Sequence, residues 1–358
     1  MTGEPDWLAR GRGAVWLPYT QMKTARPPLP VVKAEGTRLH LADGRTLIDG
    51  VGSWWTVVHG YNHPHIRAAV EAQLARFPHV MLGGLAHEAA WTLARRLATM
   101  LPGDLNHTFF SDSGSVAVEV AMKMAVQFWI NSGVKGRTRF LSFKGGYHGD
   151  TFATMAVCDP DEGMHTLFKG TIAEQIVVDL PADEAATRAY EAALAQHGKH
   201  LAAVLVEPLV QGAGGMKMHD AATLNRVTDL ARAAGVLVIF DEIFVGFGRT
   251  GTLFAMEAAG VAPDIVTLGK ALTGGFLPLA ATVATTKIYE AFLDDSAAKA
   301  LMHGPTYMGN ALACAAANAS LDLIETEPRL AQVAAIEGWL REGLAPARAL
   351  PNVRDVRV

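Results

Sequence analysis

Cysteine is nearly missing from this chain. Cys158 and Cys314 are the only two in 358 residues, too few for a disulfide framework and unlike any metal or redox pair, so a reducing, cytoplasmic setting is expected. Long apolar runs are missing too. The opening MTGEPDWLARGRG has no secretory hydrophobic run, and nowhere are there the roughly eighteen uninterrupted apolar residues of a membrane span. A basic run is also absent. Lys and Arg number 31 against 35 Asp and Glu, a formal net charge of -4, which argues against a nucleic-acid partner. What is present is a composition 50% hydrophobic and 18% charged, that of a compact enzyme. At this length one large and one smaller domain are expected.

The chain is organised around Val236 to Leu272. Two apolar runs there, Val236–Phe240 and Ile265–Leu268, read as parallel strands buried on both faces, separated by a glycine-rich turn and a short helical stretch at 253–259. Asp241 and Glu242 follow the first run, Gly269 and Lys270 the second, so both charges sit at carboxyl ends of strands, where open α/β sheets bind ligands. A poorly solvated lysine forms Schiff bases, and a fixed carboxylate can hold a protonated pyridine nitrogen. The pair therefore suits pyridoxal 5'-phosphate (PLP), against the plainer readings of a solvated Gly-Lys turn and an acidic helix start. A P-loop is excluded: Asp264 stands where its first glycine belongs and Ala271 where its Ser or Thr belongs.

In chain order, the segment bearing Pro18, Pro27, Pro28 and Pro30 should run over the surface, with residues 16–21 (WLPYTQ) forming an anchoring patch or part of a site. Residues 37–41 and 46–49 alternate across Asp43-Gly44 and read as a β-hairpin with a primed turn. Within GSWWTVVHGYNHP, Trp54 and Trp55 read as strand neighbours, both packed in the core or one facing a cavity; the nearby histidines offer no metal-ligand set. Helices are expected over 65–76 and 87–99. A strand at 107–110 leads through SDSGS (111–115) into an apolar-faced helix, so Gly114 and Ser115 form either an anion site or an ordinary helix cap. The strand at 139–143 empties into KGGYHGD, where Tyr147 can lie flat against an aromatic ring or a packed core. Another strand, 201–206, ends at Glu207-Pro208, and the glycines of residues 211–215 do not fit a dinucleotide loop. Beyond Lys270 come a strand at 279–284, the turn Gly304-Pro305-Thr306 offering a second phosphate contact, helices over 311–323 and 329–344, and a strand beginning at 352–358.

Taken together, SDSGSVAVEVAMKMA, GGYHGDT, DEIFVGFGRTG, TLGKALTGG and HGPTYMGN, in this order, resemble the class III PLP-dependent aminotransferases over nearly the whole chain. The resemblance implies an α/β fold, PLP-dependent transferase fold type I: a mostly parallel central sheet flanked by helices, spanning 52–326, and a smaller α/β domain from both chain ends, 1–51 and 327–358. It implies that Lys270 carries PLP and moves the proton, and that Asp241 binds the pyridine nitrogen. Gly114, Ser115, Pro305 and Thr306 would hold phosphate, Thr306 from the other subunit of a homodimer. Tyr147 and Ile243 would flank the ring, Tyr19, Trp54 and Gly304 would face substrate, and Arg249 would order the pocket. WLPYTQM, GSWWTVVHGYNHP and HGPTYMGN resemble the branch that uses S-adenosylmethionine and 8-amino-7-oxononanoate in biotin synthesis. Lysine as donor, another ω-amine such as ornithine or β-alanine, and an inert PLP-binding subunit remain as alternatives. The family usually has Pro where Ala311 stands and continues past Val358 into a part supplying an arginine for the substrate carboxylate, so impaired folding or substrate binding is expected of a chain ending here.

Overall fold

The structure is a computed structural model and describes residues 4–161, 163–168 and 170–358. A short helix, Asp6–Gly11, precedes the prolines. The strand β1 (Val31–Glu35) begins right after Pro30, the last of them, and pairs antiparallel with β2 (Arg38–Leu41), which pairs with β3 (Thr46–Ile48). The proline-rich reading missed β1. The expected primed turn is also corrected. Gly44 N bonds to Leu41 O and Leu41 N to Arg45 O, and Gly44 alone adopts a positive φ, of 88°. Asp43 stays out of the left-handed region, so the loop is an ordinary turn closed by one glycine.

Two helices, α1 (Pro64–Arg76) and α2 (Glu88–Met100), lead into the main sheet. Its strands are β4 (Leu105–Ser111), β5 (Arg139–Phe143), β6 (Ile176–Val178), β7 (Leu201–Val206), and then, past the small hairpin β8 (Val210–Gln211) and β9 (Lys217–Met218), β10 (Leu237–Asp241), β11 (Ile265–Leu268) and β12 (Ala280–Thr285). They lie in the order β4-β12-β11-β10-β7-β5-β6. The pairs β10·β11, β10·β7, β5·β7 and β5·β6 are parallel, and β12 is antiparallel to both neighbours. The chain between β11 and β12 holds only a 3-10 turn, Lys270–Thr273, and is too short for the crossover a parallel return needs. The stretch between β10 and β11 likewise carries a 3-10 turn, Ala255–Ala259, where a helix was expected.

Alternate residues of the central strands enter two separate apolar layers. Ala203, Leu205, Leu237 and Ile239 pack with Val118, Ala121 and Phe128 of α3 (Gly114–Asn131). Val204, Val206, Val238 and Phe240 pack on the opposite face with Leu93 and Leu97 of α2. Burial on both faces is why these strands read as unbroken apolar runs. The helices α4 (Glu184–His197) and α5 (Ala221–Ala233) belong to that second layer through Tyr190 and Leu224, and α6 (Ala311–Thr326) joins it through Ala313 and Leu321. The last helix, α7 (Arg329–Leu344), has no buried residue. Asn352–Val358, expected to open a strand, has no ladder partner among the described residues; Arg357 instead donates to the carbonyl of Gly215 at 2.9 Å.

Among the described residues no helix is long and apolar enough to cross a membrane, and no three His, Cys, Asp or Glu side chains converge to hold a metal ion. Cys158 and Cys314 are both buried and free.

Candidate active site

The parallel pairing of β10 with β11 sets Asp241 opposite Thr267, so the carboxylate and, three residues further along the second strand, Lys270 reach the same sheet edge. Both line a cavity of about 610 Å³ together with Gly114, Ser115, Tyr147 and Ile243. Asp241 is the last residue of its strand and is nearly buried. Its Oδ1 accepts from Ile243 N and Thr267 Oγ1, each at 3.2 Å, and its Oδ2 meets His148 Nδ1 at 2.9 Å. Burial alone lowers the pKa of His148, but the hydrogen bond and charge of Asp241, helped by Glu207, prevail and raise it.

Lys270 starts the 3-10 turn with φ 44°, a left-handed conformation costly for a side chain with a Cβ. Burial lowers its pKa, against the opposing pull of Asp241, Glu207 and Asp150. The amine therefore gives up its proton more readily than a solvated lysine does, which a nucleophilic amine requires.

The opposite end of the cavity is the start of α3. Ser113 is the N-cap, its Oγ accepting from Val116 N at 3.3 Å, and the first intrahelical bond is Ala117 N to Ser113 O. The N–H groups of Gly114 and Ser115 thus precede the helix ladder. The cap reading holds at Ser113. Ser115 Oγ accepts from Asp150 N at 3.1 Å, and the loop can come this close only because residue 149 is glycine. A Cβ there would stand 2.3 Å from Ser115 Oγ, at a φ of +131°. Gly114 is constrained less severely, since a Cβ would lie 3.0 Å from Ile243 Cδ1.

Aromatic side chains form the remaining wall. Trp54 and Trp55 do not lie on a strand. Gly52 to Trp55 make a left-handed turn, with Ser53, Trp54 and Trp55 at φ 46°, 56° and 72°, and both tryptophans line the cavity. Tyr19 meets Trp54 edge-on at 6.0 Å, and Trp55 meets Phe244 at 5.1 Å. The Tyr19 hydroxyl donates to Asp150 and lies 3.4 Å from that of Tyr147. Arg249 donates to the carbonyl of Trp55 at 3.0 Å, its guanidinium over the Trp55 ring.

His148, Glu207 and Phe244 take part and were not singled out from sequence. His148 holds Asp241. Glu207, buried at the end of β7, accepts from Tyr147 N and Gly212 N, both at 2.9 Å, and burial pushes its pKa up to about 7. It ties Tyr147 to the β8–β9 hairpin, whose Gly212, Ala213 and Met216 make a cavity wall, so one glycine of the run set aside as no dinucleotide loop, Gly212, is part of the site after all. Trp55 and Phe244 complete the aromatic wall. In contrast, Gly304, Pro305 and Thr306 do not line this chain's cavity; Thr306 lies exposed on a separate loop.

Glu242, next to Asp241, points away from this chemistry. It accepts from Ala255 N at 2.9 Å and Met256 N at 2.8 Å, and burial pushes its pKa up to about 8. Because Glu207 and Glu242 bind protons more tightly folded than unfolded, their contribution to stability is full below about 4.5 and is lost as pH rises through about 7 and 8. His59, with a pKa lowered by burial to about 4, acts in the opposite sense only below its ordinary 6.5. The apoprotein should therefore lose on the order of 1–2 kcal/mol between pH 6.5 and 8. Melting curves of wild type and Glu242→Gln across that window check this; an equally steep decline in the variant would assign the effect elsewhere.

A half-buried amine and a buried carboxylate at neighbouring strand ends, sharing a cavity with the start of a helix, suit an α/β aminotransferase. The chain belongs to the class III aminotransferases, whose family model, described as Aminotransferase class-III, matches residues 19–358. It is 49% identical over 353 residues to the adenosylmethionine-8-amino-7-oxononanoate aminotransferase of Mycobacterium leprae (strain TN), covering 96% of this chain and 81% of the relative, and 46% identical to the Corynebacterium glutamicum enzyme of that name, covering 96% and 82%. Among solved structures, the adenosylmethionine-8-amino-7-oxononanoate aminotransferase of Methanocaldococcus jannaschii DSM 2661 superposes with TM-score 0.94 at 34% identity, covering 98% of this chain and 82% of that one. A PLP-bound amine transaminase from an uncultivated Pseudomonas species superposes with TM-score 0.87 at 34% identity, covering 97% and 81%.

Proposed function

We propose that this aminotransferase moves the α-amino group of S-adenosylmethionine to 8-amino-7-oxononanoate, forming 7,8-diaminononanoate for biotin synthesis, with PLP as its cofactor. The observation that carries the reading is half-buried Lys270 and buried Asp241 sharing one cavity with the α3 start, in a chain whose relatives bear that enzyme's name. The residues fit the cofactor: Gly114 and Ser115 suit its phosphate, Asp241 its ring nitrogen, and Tyr147 and Ile243 line the space for the ring.

Held by these residues, PLP would supply the carrier on which the amino group passes between two half-reactions. Lys270 supplies the nucleophilic amine that burial keeps from staying protonated, and the same amine moves the proton at the reacting carbon. Asp241 keeps a negative charge against the ring nitrogen, steadied by His148 and Thr267. Tyr19, Trp54 and Trp55 exclude water and give the long aliphatic acceptor an apolar wall.

The same reading makes the protein a cytoplasmic homodimer in which Thr306 serves the partner subunit's cavity. Residues 52–326 form the large domain, and 1–51 with 327–358 belong to a smaller one; the separation of the three-stranded sheet from the seven-stranded one supports this division. A donor screen tests the function. S-adenosylmethionine should convert the absorbance of the PLP-loaded protein and then yield diaminononanoate, while lysine, ornithine and β-alanine leave the spectrum unchanged. Conversion by ornithine or β-alanine with none by S-adenosylmethionine would transfer the protein to the ω-amine branch.

A further inference from the structure

The loop Gly304–Gly309 is held from outside by two histidines of the segment joining α1 to α2. His79 Nε2 meets the carbonyl of Thr306 at 3.1 Å, and its ring packs on Tyr307 at 4.7 Å between centroids. His87 Nε2 meets the carbonyl of Gly309 at 2.9 Å, and its Nδ1 accepts from Ala90 N at 3.3 Å. A carbonyl can only accept, so in both rings Nε2 carries the proton. In His87 the Nδ1 bond fixes that tautomer, and burial lowers its pKa so that the ring stays neutral. His79 Nδ1 is buried and takes no hydrogen bond from the described residues, which leaves Nε2–H to Thr306 O as its polar contact.

The far end of the loop is already fixed. Asn310 caps α6 through Ala313 N, and Gly309, at φ +60°, lies so close to Leu82 that a Cβ would stand 2.7 Å from its Cδ1. Within the loop Met308 N closes a turn onto Pro305 O at 3.0 Å, and among the described residues His79 gives residues 304–306 their hydrogen bond from outside the loop. The Thr306–Tyr307 peptide is the middle of that turn, and the ring of His79 ties its carbonyl to the body of the chain.

We propose that His79, backed by His87, is a positioning residue that presents Thr306 to the phosphate of the cofactor and so sets phosphate affinity in the partner subunit's cavity. This rests on the reading of Thr306 given under the proposed function. His79 touches neither cofactor nor substrate. Its effect passes through one peptide group, and so it should act on the phosphate and not on the ring.

The test compares binding of PLP with binding of pyridoxal, which lacks the phosphate, to the full-chain apoproteins of wild type, His79→Ala, His79→Gln and Thr306→Ala, by absorbance titration. Loss of one orienting hydrogen bond should weaken PLP binding about tenfold in His79→Ala. His79→Gln, whose amide N–H can reach the same carbonyl, should recover most of this, and pyridoxal affinity and the apoprotein melting temperature should stay at wild-type values. Thr306→Ala should show the same selective loss. Unchanged PLP affinity in His79→Ala beside a loss in Thr306→Ala would overturn the positioning role while leaving the phosphate reading intact. Unchanged affinity in Thr306→Ala would overturn both. Equal weakening of PLP and pyridoxal, or a lowered melting temperature, would mean that His79 merely supports the fold.

Discussion

Replacing Lys270 by alanine is expected to lower diaminononanoate formation by at least about ten-thousandfold, because two tasks end together: the nucleophilic amine is gone and so is the proton carrier. No neighbour can substitute. Among the residues that line the cavity Lys270 is the only lysine, and Arg249, committed to the Trp55 carbonyl, is a guanidinium that does not deprotonate. The fold should survive the change, since truncation removes a buried cation that burial already disfavours. Ala at φ 44° keeps the strain that Lys270 already bears. Lys270→Arg retains the charge and should be nearly as inactive, which separates loss of the amine from loss of the charge. The measurement is product formation alongside covalent retention of cofactor at residue 270 after borohydride reduction. An alanine variant within about a hundredfold of wild type would remove Lys270 from the chemistry.

How much of this was readable before the structure depends on whether a feature is local. The strands Leu201–Val206 and Arg139–Phe143 match their expected bounds because burial on both faces writes an unbroken apolar run. Asp241 and Lys270 were legible for the same reason: each is a charge where such a run stops. The Thr306 loop was legible as a turn. His148 and Glu207 depend on strand order. Only the adjacency of β5, β7 and β10 brings the loop after β5 onto Asp241 and onto the end of β7. Trp54 and Trp55 were misread because a positive φ at a bulky residue leaves no trace in hydropathy, and here three consecutive residues adopt one. Strained backbone thus gathers where aromatic side chains must face a cavity, the place where local rules of sequence are expected to fail.

Asp241→Asn should reduce turnover by about a thousandfold with the protein still folded. The geometry says why a neutral isostere cannot stand in. Both carboxylate oxygens already accept, Oδ1 from Ile243 N and Thr267 Oγ1 and Oδ2 from His148, so an amide must turn its NH2 towards at least one donor. The negative charge is lost as well, in a site where Asp241 is 5% exposed and water cannot replace it. On the function proposed above, a ring nitrogen facing Asn would no longer be held protonated, and the electron withdrawal that eases proton loss from the substrate carbon would fade with it. Asp241→Glu keeps the charge but is one methylene too long for its three donors, so an intermediate activity is expected. His148 provides a second readout independent of turnover. In wild type its raised pKa gives stability that is present below the ordinary histidine value and lost as pH rises through the folded one. In Asp241→Asn burial is left as the main influence and lowers that pKa, so the His148 contribution reverses sign and grows as pH rises towards 6.5. Turnover within tenfold of wild type, or a His148 titration by NMR that does not move, would show that the carboxylate does not exert the charge assigned to it.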